Sequence, residues 1–148
     1  MRFAVLLALA SSLAVSTPAL ALGDRAPDAR QIAQLEARAQ AAPPREQPWL
    51  YAQLVHSMTD LATAQYRAGK VSEASASLLR ARTYALRIHR TLLRDAKRLR
   101  QAEILIRHTA FRLRQLLMGG VGNRATVEAT MLQLNQLQAE MLHQEFQP

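Results

Sequence analysis

The 148-residue chain has no cysteine, and this absence excludes disulfide bonds, thiol chemistry, thiolate zinc sites and lipid attachment through an N-terminal cysteine. Helix breakers are scarce too, with five glycines and six prolines, and neither type occurs between Ser72 and Met118. Only 5% of the residues are aromatic. Long stretches without breakers are typical of helices, so the composition favours an all-α fold of one domain at most.

Catalytic signatures are also missing. The chain has no His-Glu-x-x-His, no Gly-x-Ser-x-Gly and no dinucleotide-binding fingerprint. Its single Glu-x-x-His, Glu140 to His143, lacks the second copy that a ferritin-like di-iron bundle needs. The acids are few and scattered. The sequence therefore predicts a non-enzyme with no catalytic residue, cofactor or metal ligand.

The N-terminus reads as an export signal. Arg2 precedes an apolar run from Phe3 to Val15, and Ala19 and Ala21 form a small-x-small cleavage site. Residues 1–21 are thus expected to be a cleavable signal peptide, with an uncleaved anchor as the alternative. No later run of about 18 apolar residues follows. The mature chain is therefore expected in the periplasm or secreted, without a transmembrane span.

The central segment 72–118 has helical spacing throughout. Apolar residues recur at every seventh position: Leu78, Ala85, Leu92, Leu99, Ile106 and Leu113. A second row of apolar residues lies three positions after the first, and Asp95 and Thr109 interrupt it. A packed bundle is therefore preferred to a coiled-coil dimer, although an oligomer stays open. The spacing favours one long or bent basic helix over a break near residue 90, where the segment would become two helices.

The same segment carries the positive charge. Between Arg80 and Arg114 there are eleven basic residues and two acids, a net charge of +9, compared with +8 for the whole chain. Nine of these residues are candidate anion-binding groups: Arg80, Arg87, Arg90, Arg94, Lys97, Arg98, Arg100, Arg107 and Arg114. Few aromatic side chains lie between them, which disfavours nucleic acid. A genomic origin for the arginine bias stays open as well.

Other segments complete the architecture. Residues 22–47 form a weak N-terminal helix and a Pro-rich joint, and residues 48–148 form the helical domain. Within that domain, helices are expected over about 48–68 and 124–145, on either side of the central segment. Three or four antiparallel helices are the predicted fold.

Residues 58–86 resemble a tetratricopeptide-repeat (TPR) helical hairpin. The resemblance rests on a small residue, an aromatic, a turn glycine and two alanines: Ala62, Tyr66, Gly69, Ala74 and Ala81. It covers about a fifth of the chain, and no second copy occurs one period of about 34 residues away. Met58, Gln65 and Leu86 depart from the family pattern. The resemblance implies close packing of two antiparallel helices and a protein partner.

A non-catalytic binding or scaffold protein that engages a protein partner is therefore the expected function. Tyr51, Tyr66 and Tyr84 are candidate peptide contacts, with burial in the core as the alternative. Two other functions stay open. The arginine face could bind anionic lipid or an envelope polymer, or the chain could be a small periplasmic helical chaperone.

We predict that the exported chain begins at Leu22, because the small residues at Ala19 and Ala21 define the cleavage site. Intact-mass measurement and N-terminal sequencing of the protein recovered from an envelope fraction test this. Recovery of the chain with residues 1–21 still attached would show an uncleaved anchor.

Overall fold

Five α-helices and no strand make up the parts of the chain that the computed structural model describes, residues 26–92, 95–120 and 123–147. The helices are α1 (Ala29–Ala41), α2 (Gln47–Arg67), α3 (Val71–Thr91), α4 (Leu99–Met118) and α5 (Arg124–Phe146). The predicted all-α class is confirmed. The expected signal peptide, with Ala19 and Ala21, and the candidate Arg94 lie outside the described residues.

Local sequence explains most helix ends. Asp28 caps α1 by accepting a hydrogen bond from the Arg30 amide, and the Gln31 side-chain oxygen accepts a hydrogen bond from the Asp28 amide. Pro48 lies in the first turn of α2, where its missing N–H is harmless. Gly69 ends α2 at a φ of 76°, and the next amide, that of Lys70, bonds to the Gln65 carbonyl. Only a glycine adopts that conformation without strain.

The central segment is two helices rather than the single long or bent helix that its spacing favoured. α3 ends at Thr91 and α4 begins at Leu99. The connection is tied to the turn before α2: the Lys97 amide bonds to the Arg45 carbonyl at 2.8 Å, and the Arg45 Nε bonds to the Asp95 carbonyl at 3.1 Å. Arg98 then takes a positive φ of 57° to start α4. These long-range bonds satisfy backbone groups that a continuous helix would have paired internally.

The helices form two antiparallel hairpins that pack side by side. In hairpin α2–α3, Ser77 donates to Gln65 near one end, and in hairpin α4–α5, Gln138 donates to Glu103. Between the hairpins, α2 lies parallel to α4 and α3 parallel to α5, while α1 packs mainly on α2 and reaches α3 through the Glu36–Arg80 pair. Within the described ranges, the backbones of α2 and α5, and those of α3 and α4, do not approach each other closely. The four long helices therefore form a square bundle, and the α3–α4 connection crosses its diagonal.

The second hairpin repeats the burial pattern of the first. On α2, the buried residues Pro48, Tyr51, Val55, Met58, Thr59 and Ala62 correspond to Leu99, Ala102, Ile106, Thr109, Ala110 and Leu113 on α4, each 51 residues later. On α3, the buried residues Ala74, Ser77, Ala81, Tyr84 and Ile88 correspond to Val127, Thr130, Leu134, Leu137 and Met141 on α5, each 53 residues later. The two hairpins thus use equivalent faces, although their side chains differ.

Small side chains bring α2 and α3 close together. Ala52, Ala62, Ala74 and Ala81 are all fully buried, as are the larger Leu54 and Leu78 between them. Small residues at facing positions let helix axes approach closely, and the larger side chains then fill the space between the layers. This packing holds α2 and α3 together along their length.

Leu134→Ala should lower the free energy of unfolding by about 2–5 kcal/mol, because this fully buried side chain would leave a cavity. Leu132→Ala, on the same helix but 59% exposed, is the matched control and should change stability by less than about 0.5 kcal/mol. Urea denaturation followed by circular dichroism measures both. Equal losses in the two variants would contradict the assigned faces of α5.

Candidate binding surface on α4

The predicted anion-binding residues do not form one surface. Arg80 pairs with Glu36 of α1 at 3.4 Å and donates to the Tyr84 hydroxyl at 3.1 Å. Arg87 lies over the ring of Tyr51, with its guanidinium carbon 5.6 Å from the ring centroid, and also over Tyr84. Such cation–π contacts hold side chains in place. These two arginines therefore join α1, α2 and α3 instead of forming an open anion site.

Other candidates lie at the end of the bundle near the α3–α4 connection. Lys97 donates to Glu46 at 2.9 Å, and Arg98 lies 5.9 Å from the centre of the Trp49 ring. Arg90 is exposed in the last turn of α3. The eight candidates among the described residues therefore do not share one set of contacts.

The remaining three candidates share the outer face of α4 with three large apolar residues. Arginine and apolar residues alternate along this face at spacings of four and three. We call this set the α4 stripe: Arg100, Ile104, Arg107, Phe111, Arg114 and Met118. At 1.5 Å per residue the stripe is about 27 Å long. It is the longest alternation of charge and apolar surface on any described helix.

The apolar members of the stripe are well exposed. Ile104 is 43%, Phe111 52% and Met118 82% exposed. A single exposed apolar residue is ordinary on a protein surface, but three large ones aligned on one helix face indicate an interaction surface. Sequence reasoning missed this row because it followed the buried seam of α4. The signal was present as the seven-residue spacing of Ile104, Phe111 and Met118.

The carboxylates that pair with the stripe point inward. Arg107 lies 3.9 Å from Glu103, whose side chain is 4% exposed, and Arg100 lies 3.2 Å from Glu145, whose side chain is 19% exposed. The Arg107 and Arg100 side chains themselves are 59% and 69% exposed. Since solvent and any partner meet the guanidinium groups first, the stripe presents positive charge between its apolar side chains.

A polar cluster lies on the opposite side of α4, where it contacts α2. His56 Nδ1 is 3.0 Å from the Thr109 hydroxyl, and that hydroxyl donates to the Leu105 carbonyl at 2.7 Å. The hydroxyl proton is thus used, so His56 Nδ1 carries the hydrogen of this pair. Asp60 completes the cluster, at 3.4 Å from His56 Nε2 and at 2.7 Å from Arg112. Sequence reasoning had not connected these residues, since they are about 50 positions apart.

Burial lowers the pKa of His56 below its usual range. The neighbouring Asp60 carboxylate opposes this effect, while Arg112 and His108 reinforce it. Because Asp60 is already paired with Arg112, its attraction for a second cation is weakened. The contact between His56 and Thr109 positions α4 against α2.

The tyrosine candidates are core residues. Tyr51, Tyr66 and Tyr84 are each less than 5% exposed, and the rings of Tyr51 and Tyr84 stack with centroids 6.1 Å apart. Their spacing on the inner faces of α2 and α3 buries the rings between the helices. The prediction that these tyrosines contact a peptide is wrong.

In the described ranges, no three His, Asp or Glu side chains gather closely enough to hold a metal ion. The described helices also include none that is both long and apolar enough to cross a membrane. Comparison with protein-family models, curated proteins and solved structures gives no match for this chain. The α4 stripe is therefore the main indication of what this chain binds.

Acidification should destabilise the protein through His56. The folded state holds the pKa of His56 below the unfolded value of about 6.5, so the unfolded chain binds a proton first as the pH falls. Stability should therefore decrease as the pH drops below about 6.5, by at most about 1.4 kcal/mol per pH unit for one proton.

Urea denaturation at pH 7.5 and 5.5 measures this effect. His56→Gln should reduce the difference between the two pH values, because it removes the titrating ring. His143→Gln, on the exposed last turns of α5, is the matched control and should keep the wild-type difference. An unchanged difference in His56→Gln would contradict the role of burial.

Proposed function

We propose that this chain is an exported, non-catalytic scaffold protein that binds a protein partner through the α4 stripe. The partner is an amphipathic helix whose apolar side chains are flanked by acidic residues. The single observation that carries the proposal is the alternation of exposed arginines with Ile104, Phe111 and Met118 on one helix face.

Equivalence between the two hairpins supports a helical partner. His56 and Asp60 are the α2 residues that contact α4 through Thr109 and Arg112. The positions 51 residues later are Arg107 and Phe111, both members of the stripe. On α2, this face packs against the parallel helix α4. The equivalent face of α4, which carries Arg107 and Phe111, is exposed. A further helix fits there by the same geometry that joins the two hairpins.

Charge supports an acidic partner over a second copy of this chain. Two α4 stripes packed against each other would place arginine rows close together, and like charges in contact are unfavourable. Carboxylates at three- and four-residue spacing would instead meet the exposed guanidinium groups of Arg107 and Arg114, which form bidentate pairs with carboxylates. Helix-in-groove recognition uses apolar anchors at this same spacing.

The TPR-like residues agree with this mode of binding. Ala62, Ala74 and Ala81 are buried where α2 meets α3, and Gly69 makes the turn between the two helices. Proteins built from stacked helical hairpins commonly bind other proteins. The proposed localisation outside the cytoplasm rests on the predicted signal peptide, residues 1–21, which lies outside the described ranges.

Site-specific photocrosslinking tests the proposal in native envelopes. A benzophenone amino acid in place of Phe111 should give one protein adduct, and the crosslinked peptide should be an acidic amphipathic helix. The same crosslinker in place of Leu79, exposed to a similar degree on α3, is the matched control and should not give that adduct. Anionic lipid adducts at position 111, or identical protein adducts at both positions, would overturn the proposal.

Binding of the identified peptide to the purified protein then tests the chemistry. Phe111→Ala should weaken affinity about tenfold or more, since apolar anchors at the centre of an interface dominate binding. Arg107→Glu should weaken it as well, and a peptide with the facing acid changed to lysine should regain affinity for that variant. Leu79→Ala should bind like the wild type. Failure of the charge exchange would contradict the pairing of Arg107 with an acid.

A further inference from the structure

A small cavity lies at the end of the bundle, and none of its lining residues belongs to the α4 stripe. Its volume is about 280 Å³, and its walls come from α1, the start of α2 and the connection before α4. The lining residues are Arg38, Glu46, Trp49, Leu50, Lys97 and Arg98. Ligand pockets of about 300–1,000 Å³ are usual, so this cavity suits a molecule with one ring rather than a dinucleotide.

Three of the six lining residues are cations and one is an acid. Lys97 is paired with Glu46, and this pairing lowers the pKa of Glu46, which therefore stays ionised. Arg38 has no ion-pair partner among the described residues, and Arg98 contacts the Trp49 ring instead of a carboxylate. Arg98 is close enough to Glu46 to contribute to the lowering of its pKa, but three cations face this one acid, so the electrostatic character of the cavity is positive.

Trp49 and Leu50 form the apolar wall. The Arg98 guanidinium lies over the indole, with 5.9 Å between its carbon and the ring centroid. A guanidinium above an aromatic ring has several N–H groups, which can donate to an oxyanion. The cavity thus combines apolar contact with fixed donors, the two features that small-molecule sites share.

The backbone fixes this arrangement. Arg98 stands at a positive φ of 57°, immediately after the Lys97 amide bonds to the Arg45 carbonyl. Arg45 also pairs with Asp95 at 3.0 Å. Because the connection is tied to the turn before α2, the Arg98 and Lys97 side chains are brought to Trp49, about 50 residues earlier in the chain. The backbone positions of these lining residues are therefore fixed by the fold.

We propose that this cavity binds a small phosphate ester that carries a single apolar ring. The phosphate is held by Arg38 and Arg98, with Lys97 adding charge, and the ring packs on Trp49 and Leu50. Arginine pairs with phosphate through two parallel hydrogen bonds, which favours a phosphate over a bulkier neutral group. This site is independent of the proposed function of the α4 stripe.

Tryptophan fluorescence reports on the cavity directly, since Trp49 is the only tryptophan in the chain. Titration of the full mature protein with phenyl phosphate should change its emission to saturation, and calorimetry should give the same affinity. Inorganic phosphate, which lacks the ring, and phenol, which lacks the charge, should each bind more weakly. Equal affinity for phenyl phosphate and phenol, or no saturable change with phenyl phosphate, would overturn the proposal.

Two variants of the cavity should change the affinity for phenyl phosphate in opposite directions. Arg38→Gln should weaken phenyl phosphate binding about tenfold, since it removes a charged donor without touching the core. Glu46→Gln should strengthen binding, because it removes the one negative charge in the lining, and a purely structural role would not produce that gain. Arg114→Gln, on the α4 stripe, should bind phenyl phosphate like the wild type. An unchanged affinity in both Arg38→Gln and Glu46→Gln would overturn the assignment.

The two proposals fail separately. Arg38→Gln should leave crosslinking at position 111 unchanged, while Arg107→Glu should leave the phenyl phosphate titration unchanged. Loss of both activities in either variant, with the fold retained by circular dichroism, would overturn the independence of the two sites.

Discussion

The arrangement of the whole molecule depends on the bonds between the turn before α2 and the connection before α4. The Arg45 carbonyl accepts a hydrogen bond from the Lys97 amide, and the Arg45 side chain pairs with Asp95. These contacts stop the basic segment from continuing as one helix and turn α4 back beside α2. As a result, the positive charge of the segment is divided between three parts of the surface.

Much of the architecture is readable from local sequence. Apolar spacings of three and four residues, Gly69, the proline pair before α2 and the glycine-rich turn before α5 are sufficient to predict helices over 48–68 and 124–145, close to the observed α2 and α5. The break in the central segment is not readable in the same way. Asp95 interrupts the seam there, but the bonds that hold the break come from Arg45, 50 residues away. Local propensity carries no information about such a partner.

The candidate sites show the same limit. The sequence shows where the arginines are but not which side chains surround them in the fold. It therefore does not distinguish Arg87, which lies on buried tyrosines, from Arg107, which is exposed to solvent. The exposed apolar residues were equally visible in the sequence. Their meaning depends on which face of α4 is covered, and the packing of α2 and α5 decides that. Burial of the three tyrosines follows from the same packing.

The square arrangement of the hairpins also shapes how the chain folds. Each hairpin joins helices that are neighbours in sequence, so its contacts form at a low cost in loop closure. Docking of the hairpins is different, since both parallel seams contain polar pairs: Asp60 with Arg112 on one side, and Arg82 with Gln133 on the other. Polar pairs lose less by meeting water than apolar layers do. The hairpins are thus the natural units of local opening, and the diagonal connection keeps the two units together when the seams separate.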